Sequence, residues 1–364
     1  MSQPSYQYPH VEIDLGKLKE NLAALQGRCQ ASSIEFSGVV KGFHALPAAA
    51  KVYEEVGVSS IASSRIDQLR GLKKAGIRTP LMLIRIPMPS EVEDVVTWSD
   101  ISLNSECSVL RLLDEAARNK GRTHKVILMV DLGDLREGFW DWDELVAAAL
   151  EVEHDLPCLE LLGVGTNLGC YGSIQATPEK MHDLVAAAEQ VEKAIGRKLE
   201  VISGGASSSL HMVLDGTMPP RINHLRVGEG ILLGSIWGCN MDFMHKDIMV
   251  LRAQVIESKV KPSHPVGELS VDAFGRTRTY VDRGHRLRCL LAMGRVDYGE
   301  SNDLIPREPG IKVLGASSDH TILDVEGATR RLKTGDVLEF DLCYATMVYL
   351  TGSKSVRIYY KNET

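Results

Sequence analysis

From Phe36 to Val227 the chain alternates short, almost wholly apolar runs with stretches whose apolar residues recur at helical spacing. Runs such as Leu81-Met82-Leu83-Ile84 and Val126-Ile127-Leu128-Met129-Val130 lack the polar residue at every second position that marks a strand with one wet face. Strands of that kind are buried on both faces, as in a parallel sheet with helices packed outside it. The units begin at Phe36, Ile61, Leu81, Ile101, Lys125, Leu159, Leu199 and His224, and eight is the number that a (β/α)8 barrel requires. A doubly wound open sheet is the alternative. The change of style after the eighth unit favours closure.

That change falls at Asp247. Met249 to Glu257 is a long alternating strand, and Leu287 to Met293, Ile311 to Leu314, Thr321 to Val325, Val337 to Phe340 and Val356 to Tyr360 are short strand-like runs separated by Gly and Pro turns. The expected organisation is α/β: a TIM-type barrel over residues 1–244, followed by an all-β domain over residues 245–364. An earlier strand, Val11-Glu12-Ile13-Asp14-Leu15, and a helix over Lys17 to Leu25 precede the series.

Composition narrows the function. A net charge of -7 gives no electrostatic footprint for nucleic acid or an anionic membrane, and 44% hydrophobic content is that of an ordinary globular chain. No run approaches the roughly 18 apolar residues of a membrane span. Met1 to Tyr8 has neither a basic start nor an apolar core, so no signal peptide is expected. Seven cysteines, at 29, 107, 158, 170, 239, 289 and 343, form no CxxC pair; their odd number and scatter point to free thiols in a reducing cytoplasm.

In a barrel, chemistry sits where the strands end. The first strand runs through Val39-Val40 into Lys41. A lysine in apolar surroundings loses charge and gains nucleophilicity, although a lone lysine there also fits a snorkelling surface role. After the fifth strand comes Asp131 to Gly138, and after the sixth Gly165-Thr166-Asn167-Leu168-Gly169-Cys170-Tyr171-Gly172. The seventh ends in Ser203-Gly204-Gly205-Ala206-Ser207-Ser208-Ser209, and the eighth in Arg226-Val227-Gly228-Glu229-Gly230. Two glycine-rich loops after strands seven and eight are where barrels commonly hold phosphate, while either loop alone also reads as a plain turn. With Lys41 they suggest a phosphorylated aldehyde cofactor, and pyridoxal 5′-phosphate fits that description.

Together these segments resemble the pyridoxal-phosphate racemases of the alanine-racemase fold. The landmarks are Val11 to Leu15, Val39-Val40-Lys41, Val130 to Gly138 and Leu225 to Gly234. The ornithine-racemase branch in particular is similar in Asp100 to Glu106, Gly165 to Gly172, Ile202 to Gly205 and Gly315 to His320. The resemblance implies that Lys41 is joined to the cofactor's aldehyde and acts as one catalytic base. It places Ser207, Ser208 and the backbone at Gly228 and Glu229 on the phosphate, and Arg226 opposite the pyridine nitrogen. Arg136 falls beside the phenolic oxygen or the substrate carboxylate, and Asn167 beside the ring. An arginine at the ring nitrogen keeps it unprotonated and favours racemisation over transamination or decarboxylation.

Three positions depart from the alanine racemases: Met129 replaces a lysine, Asn167 a histidine, and Ala206 an asparagine. Their second base is a tyrosine in a glycine-tyrosine pair, but this chain reads Gly294-Arg295-Val296-Asp297-Tyr298. The second base therefore stays open among Tyr298, Asp319, His320 and Cys170. The resemblance implies a homodimer and, through the ornithine branch, a basic amino acid as substrate: ornithine, with lysine, arginine or alanine also considered. Glu137, Asp297 and Asp319 are the carboxylates available to a cationic side chain. The competing readings are a D-threonine aldolase-like lyase, which would need a metal, and a non-catalytic cofactor-binding protein. No metal site is expected, since the β domain shows no clear His/Cys cluster.

Overall fold

The computed structural model describes residues 6–236, 241–272, 274–277 and 279–362. It divides into two compact units, one of residues 17–246 and one of residues 1–16 with 247–364. The first strand, β1 (His10–Asp14), therefore groups with the C-terminal unit, whereas the sequence reading placed it in the domain of residues 1–244. The reason is pairing. β1 lies antiparallel to β10 (Met249–Pro262) and parallel to β16 (Arg357–Lys361), with Ile13 opposite both Met249 and Tyr360.

Between them, β2 (Glu35–Val39), β3 (Ser60–Ser63), β4 (Leu81–Leu83), β5 (Ile101–Asn104), β6 (His124–Val130), β7 (Leu159–Thr166), β8 (Val201–Ala206) and β9 (His224–Val227) close into a barrel in sequence order. Every neighbouring pair is parallel, and β9 returns to β2 with Arg226 opposite Ser37. The open-sheet alternative is thereby excluded. Val39, Ala62, Met82, Ile101, Leu103, Ile127, Met129 and Leu162 form one buried cluster, which accounts for the apolar strands. The helices that return the chain are those expected where end signals are strong. Pro178–Ile195 starts with Thr177 capping the Lys180 amide and Pro178 in the first turn, and stops at Gly196 in the left-handed region.

The second unit is an eight-stranded sheet. Its remaining strands are β11 (His285–Leu291), β12 (Ile305–Pro306), β13 (Lys312–Ala316), β14 (Thr321–Asp324) and β15 (Val337–Asp341), and its path runs β12-β15-β10-β11-β14-β13. Among the described residues, helical segments at Arg295–Tyr298 and Tyr344–Gly352 and a 3-10 turn at Ser301–Asp303 interrupt it. The second reads Tyr-Ala-Thr-Met-Val-Tyr-Leu-Thr-Gly, apolar on most sides and rich in β-branched and aromatic residues, so no helical periodicity shows in the sequence.

Candidate active site

The C-terminal ends of the barrel strands carry the chemistry. β2 stops at Val39, Val40 still pairs with Ala62 through its amide, and Lys41 opens a single 3-10 turn to Phe43. Val40 and Phe43 are fully buried on either side of it. Burial is the largest cause holding the Lys41 amine below the ordinary lysine range. Arg136 and Arg226 push the same way, and Cys170 and Glu137 oppose them. Four residues from three other strand ends therefore act on one amine.

Arg226 is buried and donates through Nη2 to the Thr166 carbonyl at 2.6 Å and through Nη1 to the Ser203 hydroxyl. Desolvation pushes its guanidinium down to about 10, so it stays charged at neutral pH. Room for the fork depends on Gly165: a Cβ there would lie 3.1 Å from Ser203 Cβ and 3.4 Å from Arg226 Nη1.

Two loops fix the other members. Asp131 accepts the Gly133 and Leu135 amides at 2.8 and 3.1 Å, and Phe139 returns to donate to the Met129 carbonyl. Gly138 closes this turn at φ +133, where a Cβ would fall 2.4 Å from the Asp131 nitrogen. Within the loop, Arg136 holds Glu137 through two hydrogen bonds. Asp134 is buried and accepts amides from Gly169, Cys170, Tyr171 and Ile174 at 3.0–3.3 Å, which holds its carboxyl below the usual range despite desolvation. It thereby ties the loop after β6 to the loop after β7 that carries Cys170. Within Asp131 to Gly138 nothing in the sequence singles out Asp134; its role shows only where the two loops meet.

Ser207 accepts the Gly228 and Gly230 amides at 3.2 and 3.1 Å, joining the ends of β8 and β9 and leaving its own proton to donate. The Ser208 hydroxyl donates to the Leu168 carbonyl at 2.9 Å. Asn167 Nδ2 and Ser209 Oγ are buried polar atoms with no protein partner, the condition of groups awaiting a ligand. Glu229 is pushed up by burial, with Lys41 acting against that. A phosphorylated, planar, aldehyde-bearing cofactor fits this set: an amine whose proton affinity burial lowers, a fixed guanidinium, an unpartnered amide donor and a hydroxyl between two backbone amides.

The candidates of the second unit stand otherwise. Tyr298 is fully buried, with its hydroxyl 2.8 Å from Thr321 Oγ1, which itself donates to the Met293 carbonyl at 2.8 Å. Asp319 and His320 are exposed in the turn before β14, where Ser318 donates to Asp319 at 2.6 Å and Ser317 Oγ accepts the His320 amide. Asp297 is buried and accepts from the Gly294 amide and the Ser353 hydroxyl. Arg295 is buried, ion-paired to Glu300 and 4.4 Å over the Phe274 ring. Among the described residues no group of three or more His, Cys, Asp or Glu side chains is placed to hold a metal. No described helix is long and apolar enough to cross a membrane.

A parallel eight-stranded barrel with this strand-end set, in a chain that also carries a mostly antiparallel β unit, defines the class. Residues 13–235 match the family model for the alanine racemase N-terminal domain. The chain is 39% identical over 343 residues to the ornithine racemase of Acetoanaerobium sticklandii, covering 94% of this chain and 96% of that one. It is 37% identical over 356 residues to the lysine racemase of Thermotoga maritima, covering 97% and 99%. The alanine racemase of Streptomyces lavendulae superposes with a TM-score of 0.75 at 19% identity, over 98% of both chains. The chain belongs to the alanine racemase family.

Proposed function

We propose that this chain is a pyridoxal-phosphate-dependent racemase that interconverts the L and D forms of a basic amino acid. The observation that carries the reading is the Lys41 amine, depressed by burial at the end of β2 and set among Arg136, Glu137, Cys170 and Arg226. Near-full-length likeness to relatives named for ornithine and lysine supports the basic substrate.

Lys41, Asn167, Ser207 and Arg226 would hold the cofactor, which when bound supplies an electron sink that acidifies the substrate Cα–H. Lys41 Nζ takes or returns the α-proton on one face, a role that its lowered affinity for protons suits. Arg226, charged and donor-only, keeps a facing ring nitrogen from gaining a proton. Arg136 offers a guanidinium to a carboxylate, and Glu137 beside it adds negative charge for a cationic side chain. For the opposite face, Cys170 is the candidate that the barrel unit itself brings into the field of Lys41. We also propose a homodimer in a reducing cytoplasm; the described cysteines are all free, which accords with the compartment.

The test is chiral analysis of products from a panel of L- and D-amino acids with purified protein and added cofactor. D-ornithine or D-lysine from the L form is the expected result. Turnover of alanine alone would overturn the substrate class. Metal-dependent cleavage of a β-hydroxy amino acid would replace racemase by lyase. Cofactor binding without α-hydrogen exchange on any amino acid would leave a non-catalytic carrier.

A further inference from the structure

Arg226 is the near end of a buried polar chain that runs from the site down through the barrel. Its Nη1 donates to Ser203 Oγ. Ser203 Oγ lies 2.9 Å from His224 Nδ1, His224 Nε2 lies 2.9 Å from Ser37 Oγ, and Ser37 Oγ lies 2.6 Å from Ser60 Oγ. His224 and Arg226 are two residues apart on β9 and so share one face of the strand. All of Ser37, Ser60, Ser203, His224 and Arg226 are buried. The far end meets a cavity of about 420 Å³ at the N-terminal ends of the strands, lined by Ser60, Met82 and His224 among others.

The chemistry of the groups orients the chain. A guanidinium only donates, so Ser203 Oγ must accept from it and has its own proton to place. The partner within reach of that proton is His224 Nδ1; were Nδ1 protonated, the buried Ser203 proton would have no acceptor. A neutral imidazole then carries its proton on Nε2, which donates to Ser37, whose own proton has Ser60 Oγ at 2.6 Å and Met82 Sδ at 3.8 Å within reach. The charged group acting on His224 is Arg226 on its own strand, and Glu35, Asp100 and Lys125 line the cavity that His224 also lines. Burial and Arg226 push the imidazole down to about 3, consistent with a neutral ring.

We propose that His224, held as the neutral Nε2–H tautomer between Ser203 and Ser37, is a positioning residue that fixes the Arg226 guanidinium where the cofactor ring is to sit. The inference rests on Arg226 facing the cofactor, as in the proposed function. Conserving the direction of the chain matters more than filling space: supporting groups around a fixed ligand typically carry about 10- to 100-fold in activity.

Two substitutions separate the roles. The amide oxygen of Asn reaches the place of Nδ1, while the longer Gln reaches the place of Nε2. His224→Asn therefore restores an acceptor for Ser203, and His224→Gln fills more of the volume but leaves Ser203 without one. With L-ornithine or L-lysine, whichever is turned over, kcat of His224→Asn should stay within about threefold of wild type and that of His224→Gln should fall about 10- to 100-fold at similar KM. Ser203→Ala, a smaller change in case both His224 variants misfold, should behave like His224→Gln. Equal losses in both variants, better retention by Gln, or a loss confined to KM would overturn the proposal. Nitrogen-15 NMR of histidine-labelled protein without cofactor reads the tautomer apart from any activity. Nδ1 unprotonated and Nε2 protonated between pH 5 and 8 is expected, and a protonated Nδ1 overturns the proposal even if the protein racemises. The reverse result, the expected tautomer in a protein that turns over no amino acid, would overturn the proposed function and with it any catalytic role for His224.

Discussion

At the C-terminal ends of the barrel strands, Lys41, Arg136, Glu137, Cys170 and Arg226 act on one another, and two polar atoms nearby, Asn167 Nδ2 and Ser209 Oγ, lack protein partners. In the β unit the corresponding candidates are inwardly satisfied or simply exposed: Tyr298 is locked to Thr321, while Asp319 and His320 sit in a turn. The backbone differs in the same sense. Gly138 in the barrel unit and Gly267 in the β unit have nearly the same φ, +133 and +130, yet a Cβ clashes with Asp131 at the first and meets nothing within 4 Å at the second. The barrel rim is thus over-determined by packing as well as by torsion, which is the usual condition of a site that must hold a geometry.

The largest expected effect tests whether the second base belongs with the barrel. Cys170→Ala should lower racemisation by about 10³-fold or more while leaving α-hydrogen exchange with one enantiomer in deuterated water, because Lys41 still serves its own face. Tyr298→Phe should leave the rate within about threefold and lower stability by about 1 kcal/mol, the value of one buried hydrogen bond. The opposite pattern, with Tyr298→Phe abolishing racemisation, would move the second base into the β unit. Next in size are the glycines. Gly138→Ala combines an unfavourable torsion with a backbone clash and should cost about 3 kcal/mol or more in denaturant unfolding, whereas Gly267→Ala should cost about 1 kcal/mol from torsion alone. Equal costs would show that the rim is no tighter than a surface loop.

A further effect is on pH. Burial lowers His124 to about 4 and His224 to about 3, against 6.5 for the free side chain. In the window from about pH 6.5 down to those values the unfolded chain binds protons that the folded chain refuses, so stability falls as pH falls. The limiting slope is about 1.4 kcal/mol per pH unit for each histidine. His224→Asn should remove one of the two slopes between pH 6 and 4; an unchanged slope would mean that His224 charges in the folded state.

Much of this was legible in the sequence for identifiable reasons. Eight strands showed because parallel strands buried on both faces are continuous apolar runs, and the stretches between them showed as helical because their apolar residues recur at helical spacing, as in Ile66–Lys74 and Pro178–Ile195. The helix Val92–Trp98 and the five-residue turns Leu210–Leu214 and Glu229–Leu233 were too short or too glycine-rich to show a period. The pairing of β1 with β16 links His10 to Arg357, and no local pattern reports a contact of that separation. The same holds in the site. Lys41, Ser207 and Arg226 sit in motifs that can be read along the chain. The links Ser203–His224–Ser37–Ser60 and Asp134 to the loop at 169–174 come from strands and loops that meet only once the barrel closes.

The central claim is that Lys41 bears the cofactor, and its most direct test is borohydride reduction of the cofactor-loaded protein followed by peptide mapping. The account predicts the reduced cofactor mass on the peptide containing Lys41, and its loss in Lys41→Ala together with racemisation. A label on another lysine, or full racemisation by Lys41→Ala, would contradict it.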